Sequence, residues 1–332
     1  MDAQAPSQRP ARSALTVAVL GIAGWLVAFV QTLILFAALN VERNPALGGA
    51  DAALGIPVAF PSLGIFAFIA ALGVTRLGGV GFARWFATTS VVVIAAGASY
   101  LGWALVAGFS GLGLLQLLFA IGALAVSIFW LRAPSAPAIP AAERRWALGG
   151  FLIVAGVAGF IAAISLAIDK IIVIVDPTAP LNCSISIVVN CATNLNSDQG
   201  AVFGFPNPLI GLGGFLAPFV VGLAVLAGAR FDRWFWIAFN LGLLGAFVFV
   251  AWLIGQSIFF LGSLCLWCAL VWSVTIPAFL LVTFRNLAEG VYGSGAKRVG
   301  RALYGYTPFI TLLFYVAVLA MYQVHLDLIN AF

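Results

Sequence analysis

The sequence predicts an all-α integral membrane protein with about nine transmembrane helices. Composition, the lengths of the apolar runs and the placement of charge carry that prediction. Of 332 residues, 64% are hydrophobic and 8% charged, with a mean hydropathy of +1.15. A soluble domain holds about 45–50% apolar and ~25% charged residues, so a water-soluble globule is excluded. The apolar residues gather into runs close to the ~20 residues that cross a bilayer. The net charge of +5 comes from basic residues scattered between those runs, which fits membrane topology better than a nucleic-acid surface.

The first run, at about 14–39, is too long for the apolar core of a cleaved signal peptide and reads as a span. Further runs lie at about 59–75, 85–107, 111–131, 146–168, 207–228, 234–258, 262–284 and 302–325. Pro-Ser-Ala-Pro-Ala-Ile-Pro at 134–140, followed by Glu143, Arg144 and Arg145, is the clearest linker. It divides the chain into a cysteine-free four-helix region, 1–140, and a five-helix region, 141–332. With a cytoplasmic N-terminus, Arg9, Arg12, Arg76, Arg84, Arg132, Arg144, Arg145, Arg230, Arg233, Arg285, Lys297, Arg298 and Arg301 all fall inside. Only Arg43 and Lys170 fall outside, so the positive-inside rule places the C-terminus outside.

A faint internal repeat relates the two regions. Ala14-Leu-Thr-Val-Ala-Val-Leu-Gly echoes the start of the fifth run at Ala147, Ala59-Phe-Pro-Ser-Leu-Gly echoes Gly204-Phe-Pro-Asn-Pro-Leu-Ile-Gly, and Gly108-Phe-Ser-Gly-Leu echoes Phe260-Leu-Gly-Ser-Leu. The echoes run in order, and an offset of four spans gives both sets the same orientation. On this register Gly113 to Gln116 stand opposite the later cysteine pair. The front region then reads as a degenerate repeat, a scaffold or docking surface without redox groups.

All four cysteines lie in the back region, on the non-cytoplasmic side or at its membrane edge, where disulfides persist. Cys265 and Cys268 are three residues apart, which puts both sulfurs on one helix face. Ser263 is a candidate N-cap that would place Cys265 in the first turn, where the helix dipole favours a thiolate. Cys183 and Cys191 lie in a polar outer loop and read as an exposed pair. An exposed pair and a membrane-edge pair form a relay, because thiol–disulfide exchange proceeds through mixed disulfides that need contact at each step. Static disulfides and idle cysteines are the competing readings, and a zinc site is disfavoured by the seven-residue gap.

Cys183-x7-Cys191, Ser197-Asp198, Ala201-Val-Phe-Gly-Phe-Pro-Asn-Pro-Leu-Ile-Gly211 and Cys265-Leu-Trp-Cys268 together resemble the vitamin K epoxide reductase family, most closely its bacterial disulfide-forming members. The resemblance covers about residues 146–326. It implies a four-helix bundle around a quinone (menaquinone or ubiquinone), plus one helix. It also implies a bacterial plasma membrane location and a thioredoxin-fold, DsbA-like partner binding in trans. Cys183 would meet the partner, Cys191 would shuttle onto Cys265, and Cys268 would face the quinone. Ser197 stands at the family's loop serine, and Trp267 and Trp272 could stack on a quinone. Two departures weigh against epoxide reduction: Trp272 replaces the tyrosine of the animal members, and Gly200 replaces their asparagine.

The resulting reading is a quinone-dependent thiol oxidase. Its rivals are a transporter, which same-direction repeats and the interrupted segment Gly204-Phe-Pro-Asn-Pro208 would suit, and a structural subunit with idle cysteines. Ionisable residues at mid-membrane depth are almost absent, which counts against a transporter. His325, the single histidine, reads as interfacial, and Pro218, Pro277 and Pro308 as helix-kinking positions.

Overall fold

A bilayer offers no water to backbone N–H and C=O groups, so segments that cross it bond internally as helices. The computed structural model describes residues 8–42, 52–53, 56–80, 82–108, 110–132, 146–327 and 329. It is 83% helical. The long helices are α1 Gln8–Glu42, α2 Ala59–Gly78, α3 Arg84–Ala107, α4 Gly111–Arg132 and α5 Trp146–Val175. They continue with α6 Cys191–Asn196, α7 Pro208–Gly214, α8 Leu216–Leu226, α9 Arg233–Gln256, α10 Leu266–Glu289, α11 Lys297–Gly305 and α12 Thr307–Leu326. Among the described residues nine spans are long and apolar enough to cross a membrane, α7 and α8 together making the sixth. The 134–140 linker lies outside the described residues.

Three boundaries differ from the hydropathy reading. The fifth span continues to Val175, so Asp169 and Lys170 sit on helix rather than in a loop. Backbone hydrogen bonding, not apolarity, ends a helix. The eighth span begins at Leu266 rather than 262, because Gly262 adopts a left-handed φ of 61° and turns the chain. The ninth begins at Thr307, with Pro308 in its first turn and α11 as a separate helix before it. Of the other prolines, Pro277 lies inside α10. Pro218 follows the break between α7 and α8, where its missing N–H cannot reach back to the preceding turn.

The chain divides into two compact units, one built on residues up to Ile153 with Leu216–Asp232, the other on Val154–Phe215 with Arg233–Phe332. In the first, α1 packs along α2 and α4, and α2 along α8. In the second, α10 packs on α9, α11 and α12.

One packing pattern recurs. A Cβ on Gly24 would lie 2.1 Å from Cδ1 of Phe66, and one on Gly159 2.1 Å from Cδ1 of Phe215. A Cβ on Gly73 would meet the backbone of Ala18, and one on Gly222 the Gly149 carbonyl and the backbone and side chain of Ile153. The shifts agree: 159 − 24 and 153 − 18 both give 135, and 215 − 66 and 222 − 73 both give 149. Helices α3 and α9 are each 24 residues long and are also offset by 149. The turns between the paired helices contact each other reciprocally. Ala83 N–H donates to the Ala227 carbonyl and Asp232 N–H to the Gly78 carbonyl, around the pairing of β3 Gly79–Val80 with β4 Arg230–Phe231. (The other strand pair is β1 Ala52–Ala53 with β2 Ile56–Pro57.) By helix starts, the positions opposite Cys265 and Cys268 are Ser110 and Gly113, an offset of 155, rather than Gly113 to Gln116.

These close crossings leave no space for a side chain. Gly73→Val and Gly222→Val should each lower stability by ~1–3 kcal/mol, the usual cost of overpacking. Gly245→Ala, with nothing within 4 Å of the added carbon, should not. Thermal melts in detergent would show it; equal Tm values for all three variants would mean the crossings are not tight.

Candidate active site

The loop after α5 turns back on itself through its own polar atoms. Thr178 donates from N–H and Oγ1 to Asp176 Oδ1 at 2.9 and 2.7 Å, which holds that carboxylate below its usual range. Ile185 N–H and Ser186 N–H both donate to the Val189 carbonyl, and Val189 N–H to Ser186 Oγ, closing a tight turn. Asn190 then caps α6: its Oδ1 accepts from Ala192 N–H at 2.9 Å and from Ser184 Oγ at 3.0 Å. The turn brings Cys183 and Cys191 to a Cα separation of 5.8 Å, and the two form a disulfide.

A second segment docks on this loop. The α9 helix runs into a π-helical turn at Ser257–Leu261, and Gly262 reverses the chain. Leu264 N–H then donates to the Val188 carbonyl at 2.7 Å, and Asn190 N–H to the Leu264 carbonyl at 3.0 Å. Ser263 Oγ donates to the Asn190 carbonyl at 2.7 Å and accepts from Asn194 Nδ2 at 3.1 Å. Cys191 and Cys265 each directly follow a residue of this interlock. Both are fully buried in one cluster with Leu166, Val173, Leu181, Cys183 and Leu195.

Ser263 is therefore not the cap of α10, since its hydroxyl is committed to Asn190 and Asn194. Cys265 is the N-cap, its Sγ accepting from Cys268 N–H at 3.4 Å. Cys265 and Cys268 are free thiols. The outer pair is not exposed either: Cys183 is 3% and Cys191 0% accessible, while Ile187 on the turn between them is 93% accessible. Apolar packing and the docked segment enclose the loop sulfurs, a burial that polar loop composition does not signal.

Cys268 also touches a second cluster, formed by Val250, Ile254, Ile258, Trp272, Ile276, Leu280 and Tyr322. Trp272 stacks on Tyr322 with centroids 5.7 Å apart and planes 21° apart. Tyr322 Oη donates to Ser257 Oγ at 2.7 Å, and Ser257 Oγ donates to the Ser263 carbonyl. Trp267 packs against the cysteine cluster rather than beside Trp272. Ser197 caps the short turn Asp198–Ala201, accepting from Gly200 N–H and donating to the Asn194 carbonyl; no contact with a sulfur accompanies it. His325 is exposed at the end of α12, edge-on to Phe259.

Sequence reasoning passed over Asp169, Asn190 and Tyr322. Asp169 Oδ2 lies 3.5 Å from Cys183 Sγ. Asn190 carried a usable signal, an Asn immediately before a short helical stretch. Asp169 and Tyr322 carried none, because each sits on a long helix whose facing residues only the fold reveals.

The Vitamin K epoxide reductase family model matches residues 151–283, the stretch that holds all four cysteines. Over these residues the chain is similar to the vitamin K epoxide reductase family. Among curated proteins and solved structures none matches the chain. The matched family implies a thiol/disulfide oxidoreductase, and an additional helical region precedes the matched stretch.

The interlock predicts a specific lesion. Asn190→Ala removes the α6 cap and the Ser184 bond, costing about 0.5–2 kcal/mol locally. After reduction, the thiol of Cys191 should become alkylated faster than in the native chain, read by mass spectrometry. An unchanged alkylation rate would mean the loop holds Cys191 without its cap.

Proposed function

We propose that this protein is a quinone-dependent thiol oxidase. It would reoxidise an extracytoplasmic thioredoxin-fold, DsbA-like protein and pass the electrons inward from one cysteine pair to the other. The observation that supports it is the burial of the Cys183–Cys191 disulfide in one cluster with the free thiol of Cys265, while Cys268 reaches the second cluster. That is the order exchange chemistry requires, since each sulfur must reach the next.

In this reading the partner's thiolate attacks Cys183, and Cys191 leaves as a thiolate. The partner's second thiolate then frees Cys183 and carries the disulfide away. Cys191 attacks Cys265 of an oxidised Cys265–Cys268 pair, releasing Cys268. Cys183 resolves the Cys191–Cys265 bond, regenerating the loop disulfide and leaving two inner thiols. Because the loop sulfurs are buried, their enclosure must open when the partner docks.

The second cluster fits a quinone. It is apolar, it contains the stacked Trp272 and Tyr322, and it borders a thiol. A bound quinone supplies the two-electron acceptor chemistry; the protein supplies proximity and a water-poor slot. Trp272 and Cys268 would line it, and Trp267 would close the cysteine side. The membrane would be the bacterial plasma membrane, with the cysteine loop outside. The region ahead of the family domain would act as scaffold, since it holds no cysteine.

Two experiments test this. A reduced partner whose second cysteine is changed to Ala should be trapped as a mixed disulfide with Cys183, because the thiol that frees Cys183 is gone. Trapping on Cys191 instead would reverse the order. For orientation, Ile187→Cys should react with a membrane-impermeant thiol reagent on intact cells. Labelling only after the cytoplasm is opened would overturn both the orientation and the oxidase reading.

A further inference from the structure

We propose that Asp169 is a catalytic residue of the relay, the base that takes the proton from Cys183. This rests on the relay reading above and adds a group that reading does not use. Asp169 sits on the penultimate turn of α5, half-buried, with Oδ2 3.5 Å from Cys183 Sγ. Its neighbour Lys170 donates to the Leu195 carbonyl at 2.7 Å. The ionisable groups gathered here are Asp169 and Lys170 from α5, Cys183 and Cys191 from the loop, and Cys265 and Cys268 at the start of α10.

The need for a base follows from the chemistry. Exchange requires a thiolate. Cys191 is released as a thiolate when the partner attacks, so it is born reactive. Cys183 also leaves as a thiolate, but a thiolate 3.5 Å from the Asp169 carboxylate is disfavoured by like charge. It therefore takes up one of the two protons given up by the partner's thiols and must lose it again to react. To complete the cycle it must attack Cys191 Sγ of the Cys191–Cys265 disulfide. In that step the Cys183 S–H proton passes to the Asp169 carboxylate and a Cys183–Cys191 bond forms. The Cys191–Cys265 bond breaks, and its electron pair leaves with Cys265 as a thiolate. The oxidant consumed is the Cys265–Cys268 disulfide, which a quinone regenerates. An acceptor at 3.5 Å from the sulfur is placed for that transfer.

The test uses the full-length protein in detergent, with all four cysteines reduced, mixed with a water-soluble quinone. The first equivalent of quinol comes from Cys265 and Cys268 alone and does not need Asp169. The second requires electrons to cross from the loop pair. In Asp169→Asn the first equivalent should form at the native rate. The second should slow on the order of 10²-fold, with the Cys191–Cys265 disulfide accumulating and identifiable by non-reducing peptide mapping. Asp169→Glu should restore most of the second phase. Two equivalents at the native rate in Asp169→Asn would overturn the proposal, as would equal slowing of both. If the native protein itself forms no quinol, the quinone reading fails instead, which separates the two ideas.

Discussion

The hydrogen-bonded seam between residues 188–190 and 263–264 is the constraint on which the rest of the site depends. Thiol–disulfide exchange has no tolerance for a gap, because the attacking sulfur must reach the sulfur it displaces. The two cysteine segments come from loops 73 positions apart at the Ser263–Asn190 contact, and each is too irregular to satisfy its own backbone. They satisfy each other. Leu264 gives to Val188 and takes from Asn190, while Ser263 bridges Asn190 and Asn194. Each bond is worth only about 1 kcal/mol net, yet leaving any of these buried groups unpaired costs about 1–3. The seam therefore fixes register more than it adds stability, and register is what places Cys191 and Cys265 in one cluster.

The bilayer sets the remaining terms. Tyr322 and Ser257 are polar side chains inside the bundle with partners built in: phenol to hydroxyl, hydroxyl to the Ser263 carbonyl. That short chain ties the ninth span to the same seam. The stacked Trp272–Tyr322 pair and the cysteine loop are thus linked through Ser263, whose hydroxyl faces the loop and whose carbonyl faces Ser257. Helix crossings elsewhere rely on glycine, because without a hydrophobic drive between helices close contact is what remains.

How much the sequence reveals follows from the same physics. Span number is legible because twenty apolar residues have few alternatives in water or membrane. The cysteine pairs are legible because four sulfurs in 332 residues are sparse and ordered. Helix ends are less so: hydropathy fades near 168, but the hydrogen-bond ladder of α5 continues to Val175 and carries Asp169 to Cys183. Ser263 is the better cap by propensity, but a hydroxyl shared with a distant loop cannot also cap, so Cys265 takes the position. Burial of the loop disulfide was hidden because its cover comes from a segment remote in sequence.

The recurrent helix packing locates where chemistry was accommodated. The glycine crossings shift by 135 on the first helix and 149 on the second, so the connection between them is 14 residues longer in the back set (149 − 135). The third helices keep the offset of 149, and the fourth begin at 155, six residues more (155 − 149). The connection between second and third helices is unchanged. The first longer connection carries Cys183 and Cys191, and the second leads directly into Cys265. The helices themselves are common to both sets, and their contacts are conserved in kind. At the start of the fourth helix the same cap geometry appears twice. Ser110 Oγ accepts from Gly113 N–H at 3.0 Å, and Cys265 Sγ from Cys268 N–H at 3.4 Å. Oxygen and sulfur both serve as the cap, but only sulfur can exchange a disulfide. The two sets therefore differ, at this point, in the capping atom and in the two longer loops around it.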